Sequence, residues 1–268
     1  MSADNKFTGH LPMIYDRYVS MKFEPYALDL AERIEKLQPR LILETACGTG
    51  VVTRALLIRL PEAQVVATDL NQAMLDVAAA QIDNQRATFR RADAMSLPFE
   101  DGRFDAVVSQ FGVMFFPDRM TAYREAFRTL RAGGRFVFNT WDQLLHNPVT
   151  QIVVAAMAEL FPADPPQFFK RVPFGYHDMN VVRDELRRAG FLLVEIARVE
   201  KRSRAASAQE AAIALCQGTP LRLEIEERAP GGLVEATKFA ARALEREFGS
   251  GAIDASMAAY VVQASRAA

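Results

Sequence analysis

Short apolar runs alternate with longer helical patterns between residues 41 and 141 of the 268-residue chain. The runs include "LILET", "AQVVATDL", "FDAVVSQ" and "GGRFVFNTW", and patterns such as "VVTRALLIRL" and "RMTAYREAFRTL" separate them. The runs are rich in Val, Ile, Leu and Phe and show little alternation of polar and apolar positions, which is typical of strands covered on both faces. The pattern predicts an α/β fold with a doubly wound parallel sheet.

Helical patterns flank this region. Residues 17–37 form a leading helical segment that ends before Pro39, because proline cannot extend a helix interior. Residues 147–161 predict a helix, the proline-rich residues 162–177 predict an irregular loop, and "DMNVVRDELRRAG" predicts a helix with Asp178 as N-cap and Gly190 as its C′ residue.

The last part of the chain predicts two strands, "FLLVEIARVEKRS" and "SMAAYVVQAS", with a helical stretch between them. We expect a single domain over residues 1–268, with a helical cap over residues 1–38 and a helical insertion over residues 203–253 between the last two strands. Insertions at a sheet edge often cover a ligand site, so we expect this one to act as a lid.

Composition narrows the class of partner. Thirty-two Lys and Arg against thirty-three Asp and Glu leave a net charge of −1, which gives no reason to expect nucleic acid or a membrane surface. No stretch of about 18 apolar residues predicts a membrane span, and the N-terminus lacks the apolar run of a signal peptide. The two cysteines, Cys47 and Cys216, form no C-x-x-C pair. We therefore expect a cytoplasmic protein with a small-molecule partner.

The strand "LILET" is followed by the turn "ACGTGVV". A dinucleotide fingerprint would require glycine at positions 46, 48 and 51, but the chain has Ala46, Gly48 and Val51. Glu44 would repel a pyrophosphate and suits a cationic group. An NAD-dependent oxidoreductase is therefore the less favoured alternative.

Two further acids end strands. Asp69 closes "VVATD", where a carboxylate can accept hydrogen bonds from both hydroxyls of a ribose, and Asp93 ends the next strand, where it can accept from an adenine amino group. Gly48 and Gly50 alone could be an ordinary tight turn. Together with the two acids, they indicate a site for adenosine joined to an amino acid with a positive centre.

These motifs resemble a known family. "ETACGTG" is similar to the E/D-x-G-x-G-x-G first motif of class I S-adenosylmethionine-dependent methyltransferases, and "ATDLNQAML", "RADAMSLPFEDGRFDAVVSQFGVMFFPD" and "EAFRTLRAGGRFVFNTWD" follow in the order of that family. The resemblance is to the small-molecule branch that includes ubiquinone and menaquinone biosynthesis methyltransferases. It implies a seven-stranded Rossmann-like sheet, S-adenosyl-L-methionine as cofactor, and in-line methyl transfer to an oxygen, nitrogen or carbon atom.

The resemblance also implies roles for particular residues. Ala46, Gly48 and Gly50 would lie beneath the methionine moiety with Glu44 near its ammonium group, and Ala46 would be tolerated there with a negative φ. The other implied cofactor-binding residues are Asp69 on the ribose, Leu70 and Met74 on the adenine, Asp93, Ala94 and Met95 around the adenine amino group, and Gln110 and Phe111 beside the transferred methyl. Leu70 and Met74 could instead be core residues.

Other residues keep open alternatives. His146 and His177 fall where a general base could act, or they stabilise loops. Tyr15 and Tyr18 contact cofactor or substrate, or they only pack. Cys47 is better explained as a small buried residue than as a nucleophile.

The sequence also limits which ligands and assemblies we expect. No His, Asp or Glu spacing suits a metal ion, so we expect none. We expect a small, partly hydrophobic methyl acceptor, and a monomer or a homodimer. The remaining alternative is a protein that binds S-adenosylmethionine or S-adenosylhomocysteine without catalysis.

Overall fold

A computed structural model describes residues 11–268; His10 and the rest of residues 1–10 lie outside the described part. The described chain begins with α1 (Leu11–Ile14), a π-helical turn (Tyr15–Ser20) and α2 (Met21–Glu35). Helix α2 ends four residues before Pro39, as the sequence predicts, but it accommodates Pro25 within its first turns.

Seven strands form one sheet in the order β3-β2-β1-β4-β5-β7-β6. The strands are β1 (Leu41–Thr45), β2 (Gln64–Asp69), β3 (Ala87–Arg91), β4 (Phe104–Gln110), β5 (Leu130–Trp141), β6 (Leu193–Ala205) and β7 (Ile253–Ser265). The pairs β3–β2, β2–β1, β1–β4 and β4–β5 are all parallel. The predicted doubly wound, seven-stranded sheet is thus confirmed, and the carboxyl ends of β1 to β5 lie along one edge.

Helices connect these strands. Helix α3 (Val51–Arg59) connects β1 to β2, α4 (Gln72–Gln81) connects β2 to β3, and α5 (Arg119–Thr129) lies between β4 and β5. Side chains set two of their starts, since Asn71 accepts from the backbone N–H of Ala73 and Asp118 accepts from that of Thr121. By contrast, α3 starts after Gly50 without a side-chain cap.

The region after β5 contains α6 (Pro148–Leu160), α7 (Phe168–Arg171) and α8 (Met179–Arg188). Helix α7 corrects the prediction of an irregular loop over residues 162–177, because four residues between the prolines do form a helical turn. Asp178 accepts from the Asn180 N–H as the N-cap of α8, and Gly190 has a φ of 112° after its end, as predicted.

Three helices lie between β6 and β7 in the chain, namely α9 (Ala208–Cys216), α10 (Leu221–Arg228) and α11 (Leu233–Phe248). Their breaks fall at Gly218, Pro220, Pro230 and the following glycine pair, where the sequence predicted them. Their role as a lid stays a prediction.

The residues cluster into two compact units. One contains the described part of Met1–Phe23, with Trp141–Gly175 and Glu200–Ala258; the other contains Glu24–Thr140, Tyr176–Val199 and Ala259–Ala268. In the second unit, the central strands and helices α2 to α4 share one apolar core. In the first unit, helices α6 and α9 both pack on α11. Within residues 11–268, no helix is both long and apolar enough to cross a membrane.

Candidate functional site

The turn between β1 and α3 has an unusual backbone. Ala46, Gly48 and Gly50 have φ values of 52°, 54° and 82°, all in the left-handed region. Glycine adopts this region freely, whereas a residue with a Cβ is strained there by about 1–2 kcal/mol. The expectation that Ala46 would be accommodated with a negative φ is therefore wrong; the turn keeps the shape of a glycine turn and Ala46 bears the strain.

The glycines in and beside this turn differ in how much space surrounds them. A Cβ atom on Gly48 would have no neighbour within 4 Å, whereas one on Gly112 would lie 2.6 Å from the Ala46 Cβ and 2.7 Å from the Ser109 Oγ. Gly112 is thus needed to make room for Ala46. Gly48 instead presents its backbone to open space, where a ligand can approach it closely.

Asp69 ties this turn to the end of β2. Its Oδ2 accepts from the backbone N–H of Gly48 at 2.9 Å, and its Oδ1 accepts from that of Asn71 at 2.8 Å. Burial raises the pKa of Asp69, and the backbone N–H groups oppose that rise. Because each carboxylate oxygen has two lone pairs, Asp69 can still accept further hydrogen bonds from a ligand hydroxyl.

Glu44 lies beneath the turn, on β1, with a relative exposure of 1%. Thr53, in the first turn of α3, donates its hydroxyl to Glu44 Oε2 at 2.5 Å. Burial, with the nearby charge of Asp69, raises the pKa of Glu44 to about 8. Glu44 is therefore mainly protonated at neutral pH, and a cation beside it would favour its ionised form.

A second polar group lies at the ends of β4 and β5. Gln110 and Asn139 are partners in the strand register. Asn139 is buried, and its Oδ1 accepts from the backbone N–H of Phe111 at 2.8 Å, which holds Phe111 at a φ of 49°. Within the described chain, Gln110 Oε1, Asn139 Nδ2 and Thr49 Oγ1 are buried atoms without a hydrogen-bond partner. Such atoms are rare in native proteins, and these three can pair with polar groups of a ligand or with water.

Most of the candidate adenine residues follow β2 or β3 in the chain, and Met74 lies in α4. Asp93 accepts from the Met95 N–H at 2.9 Å, which fixes the loop that also carries Ala94. Leu70 is half-buried, whereas Met74 is only 3% exposed and belongs mainly to the core. The parallel register aligns the last residues of these strands, with Asp69 opposite Arg91, so both acids lie at the same edge as Gly48.

The geometry fits S-adenosylmethionine. The open space beside Gly48 suits the backbone of a methionine. The carboxylate at the end of β2 suits a ribose diol, and the buried acid below the turn suits an ammonium group. The uncapped N-terminus of α3 suits a carboxylate. Cys47 is buried and its thiol pKa is raised well above the usual value by that burial, which supports a packing role.

Comparison with known proteins agrees with this geometry. Residues 43–138 match the family model described as "Methyltransferase domain". A demethylmenaquinone methyltransferase from Thermus thermophilus is 41% identical over 119 residues, which cover 44% of this chain and 53% of that protein. The matched stretch thus spans about half the length of that relative.

Two solved structures share the fold over most of the chain. A candidate methyltransferase from Bacillus halodurans has a TM-score of 0.57 at 20% identity, covering 90% of this chain and 99% of that one. Phosphoethanolamine N-methyltransferase 2 from Haemonchus contortus, solved with phosphomonomethylethanolamine and S-adenosylhomocysteine, has a TM-score of 0.56 at 16% identity, covering 97% of this chain and 61% of that one. The family model therefore matches a methyltransferase domain over residues 43–138, and the two solved structures share the predicted fold.

Three further candidate residues lie on other segments of the chain. Tyr15 is in the π-helical turn, where its ring contacts that of Phe23 at a centroid distance of 6.3 Å. His146 ends a 3-10 turn after β5, and His177 directly precedes the N-cap of α8. Their roles stay predictions. Within residues 11–268, no three His, Cys, Asp or Glu side chains are arranged to hold a metal ion.

Sequence reasoning missed Thr53, Asn139 and Gly112. Asn139 left a signal, because it is a polar residue inside the apolar run "FVFNTW" of a strand with both faces covered. Thr53 and Gly112 left none that spacing could reveal, since their importance depends on contacts with Glu44 and Ala46.

Proposed function

We propose that this protein is an S-adenosylmethionine-dependent methyltransferase that acts on a small, partly hydrophobic molecule. The observation that carries the proposal is the contact between Gly48 and Asp69. The backbone N–H of Gly48 donates to the Asp69 carboxylate, and there is open space beside Gly48. A ligand that combines an amino acid with a ribose suits both features. Bound S-adenosylmethionine supplies a methyl group on a positively charged sulfur.

The chain's own residues would bind the cofactor and orient it toward the methyl acceptor. Gly48 would allow close approach to its backbone, and Gly50 would support the turn through its left-handed φ. Asp69 would accept from the ribose, and Asp93 with Ala94 and Met95 would surround the adenine amino group. Glu44 would balance the ammonium group, with Gln110 and Phe111 beside the reacting methyl. Because the sulfonium is a strong electrophile, most of the rate enhancement would come from holding the two reactants at close range in a dry site.

We further propose that the methyl acceptor is a small molecule that reacts through an oxygen, nitrogen or carbon atom and that the protein is cytoplasmic. The apolar side chains after β4, including Phe111 and Met114, favour a partly hydrophobic acceptor. The near-neutral net charge supports a small molecule over nucleic acid. Two free, buried cysteines agree with a reducing compartment.

The cofactor site can be tested by calorimetry with S-adenosylhomocysteine. We expect Asp69→Ala to weaken binding about 10- to 100-fold, the loss typical of a hydrogen-bonded charged group. Asp69→Asn keeps one acceptor oxygen for the Gly48 N–H and should lose less. Asp76→Ala, on the exposed face of α4, is the matched control and should bind as the wild type does. Unchanged affinity in Asp69→Ala would contradict the assignment.

A further inference from the structure

Four buried side-chain atoms within residues 11–268 have no hydrogen-bond partner. One is His146 Nδ1 in the first unit, which lies 2.8 Å from Asp142 Oδ2 in the turn after β5. The other three lie in the second unit, on Thr49, Gln110 and Asn139. Asn139 is 0% exposed. Because a buried donor without a partner destabilises a fold, stability alone does not account for an asparagine at this position.

The direction of the Asn139 amide is fixed by its contact with Phe111. The backbone N–H of Phe111 donates to the amide at 2.8 Å, and only the amide oxygen can accept such a bond. Oδ1 therefore faces the peptide between Gln110 and Phe111, and Nδ2 is the atom left without a partner in the described chain. The contribution of Asn139 to the second unit is thus its hold on the Phe111 backbone.

Phe111 has a backbone conformation that requires such a hold. Its φ of 49° lies in the left-handed region, where a residue with a bulky side chain is strained. Its buried ring contacts that of Tyr26 edge to face at a centroid distance of 5.3 Å. Strained conformations persist only where the surrounding structure imposes them. The hydrogen bond to Asn139 imposes this one on the backbone, and the contact with Tyr26 fixes the ring.

The same hydrogen bond sets the direction of the Gln110 carbonyl. The peptide between Gln110 and Phe111 is trans, so its C=O and N–H point in opposite directions. Asn139 lies on β5, whereas β1 lies on the other side of β4. The Gln110 carbonyl therefore points away from Asn139, toward the side of β4 on which β1 ends. There the chain has left β4, since the Cys47 N–H donates to the Thr68 carbonyl on β2 at 2.9 Å.

The turns after β1 and β4 also pack directly on each other. The Ser109 hydroxyl donates to the Thr45 carbonyl at 3.0 Å. A Cβ on Gly112, the residue after Phe111, would lie 2.6 Å from the Ala46 Cβ. Because the two turns are in such close contact, the backbone of Phe111 determines how the end of β4 meets the β1 turn.

We propose that Asn139 is a positioning residue for the ammonium group of the cofactor's amino acid part. It acts through Phe111: by holding that residue in the left-handed region, it keeps the Gln110 carbonyl directed toward the β1 turn, where the carbonyl accepts from the ammonium group. This inference rests on the proposed function. Asn139 does not touch the ligand, so its loss should weaken ligands that carry the ammonium group and spare those that lack it.

The test compares S-adenosylhomocysteine with methylthioadenosine, which lacks the amino acid part, by calorimetry. We expect Asn139→Ala to weaken S-adenosylhomocysteine binding about 10-fold and methylthioadenosine binding less than about 2-fold. Asn139→Asp keeps an oxygen that can accept from the Phe111 N–H and should retain most of the affinity. If Asn139→Ala does not fold, Asn139→Ser, which is shorter by one bond and loses the contact, is measured with the same expectation.

Thr140→Val is the matched control. Thr140 is the next residue of β5, is also 0% exposed, and donates its hydroxyl to the Tyr176 carbonyl at 3.0 Å. Its substitution removes a buried hydrogen bond from the same strand without touching Phe111. The ratio of the two ligand affinities should therefore stay that of the wild type.

A second background tests the route through Phe111. Glycine adopts the left-handed region freely, so in Phe111→Gly the further change Asn139→Ala should alter S-adenosylhomocysteine affinity less than about 2-fold. Equal losses for both ligands in Asn139→Ala, no loss, or the same selective loss in the Phe111→Gly background would overturn the positioning role. A selective loss in Thr140→Val would overturn it too. A wild type that does not bind S-adenosylhomocysteine would contradict the proposed function itself.

Discussion

The turn after β1 and the turn after β5 both place polar side chains at the carboxyl end of a strand, but they are built differently. In the first, Glu44, Gly48 and Thr53 lie within ten positions of one another, and only Asp69 comes from another strand. In the second, Asn147 depends on Ala258, which is 111 positions away. The first turn can be recognised from the sequence because most of its polar residues are close together in the chain. The second cannot, because the residue that stabilises it is distant in the sequence.

Of the substitutions that distinguish the two turns, we expect one at Gly112 to change stability most. Gly112→Ala would place a Cβ 2.6 Å from that of Ala46, and overpacking of this kind costs about 1–3 kcal/mol. We expect urea denaturation to show a loss of about 2–3 kcal/mol in the free energy of unfolding. The double variant Ala46→Gly with Gly112→Ala should recover part of it, because it removes the clash with the Ala46 Cβ and the strained φ of Ala46 but leaves the close contact with the Ser109 Oγ. Equal losses in the single and double variants would contradict this account of the turn.

A smaller effect is expected in the second turn. Asn147→Ala removes two donated hydrogen bonds and one accepted bond and leaves the Ala258 N–H buried, so we expect a loss of about 1–2 kcal/mol in thermal denaturation. Asn180→Ala, on the exposed side of α8, should change stability by less than about 0.5 kcal/mol. If Asn147→Ala were as stable as the wild type, the turn would not be held as described.

Much of the fold could be predicted from the sequence. The strands around Asp69 and Gln110 are continuous apolar runs, and turn residues separate them from the helices, so pattern alone places both residues at strand ends. Helix α7 could not be predicted, because "FFKR" lies among prolines and forms only one turn.

The site was predictable in part. Glu44, Gly48 and Asp69 follow from residue type and position. The left-handed φ of Ala46 did not follow, because backbone angles at a non-glycine residue depend on the surrounding turn. The pairing of Asp142 with His146 was equally hidden, since an i, i+4 spacing in an irregular segment gives no indication of which side chains face each other.

The central claim, that the β1 turn binds a cationic amino acid joined to adenosine, is tested most directly by measuring proton release. The pKa of Glu44 is raised to about 8 by burial, so this acid is protonated in the free protein at neutral pH. An ammonium group beside it would lower that pKa and ionise it. Calorimetry in buffers of different ionisation enthalpy should show roughly one proton released per S-adenosylhomocysteine bound at neutral pH, fading above the pKa of Glu44.

Two controls isolate the effect. Glu44→Gln should bind without releasing the proton, and methylthioadenosine, which lacks the amino acid part, should release none from the wild type. We expect proton release only when the wild-type Glu44 and the ligand ammonium are both present. Binding of S-adenosylhomocysteine to the wild type without proton release, or with the same release in Glu44→Gln, would contradict it.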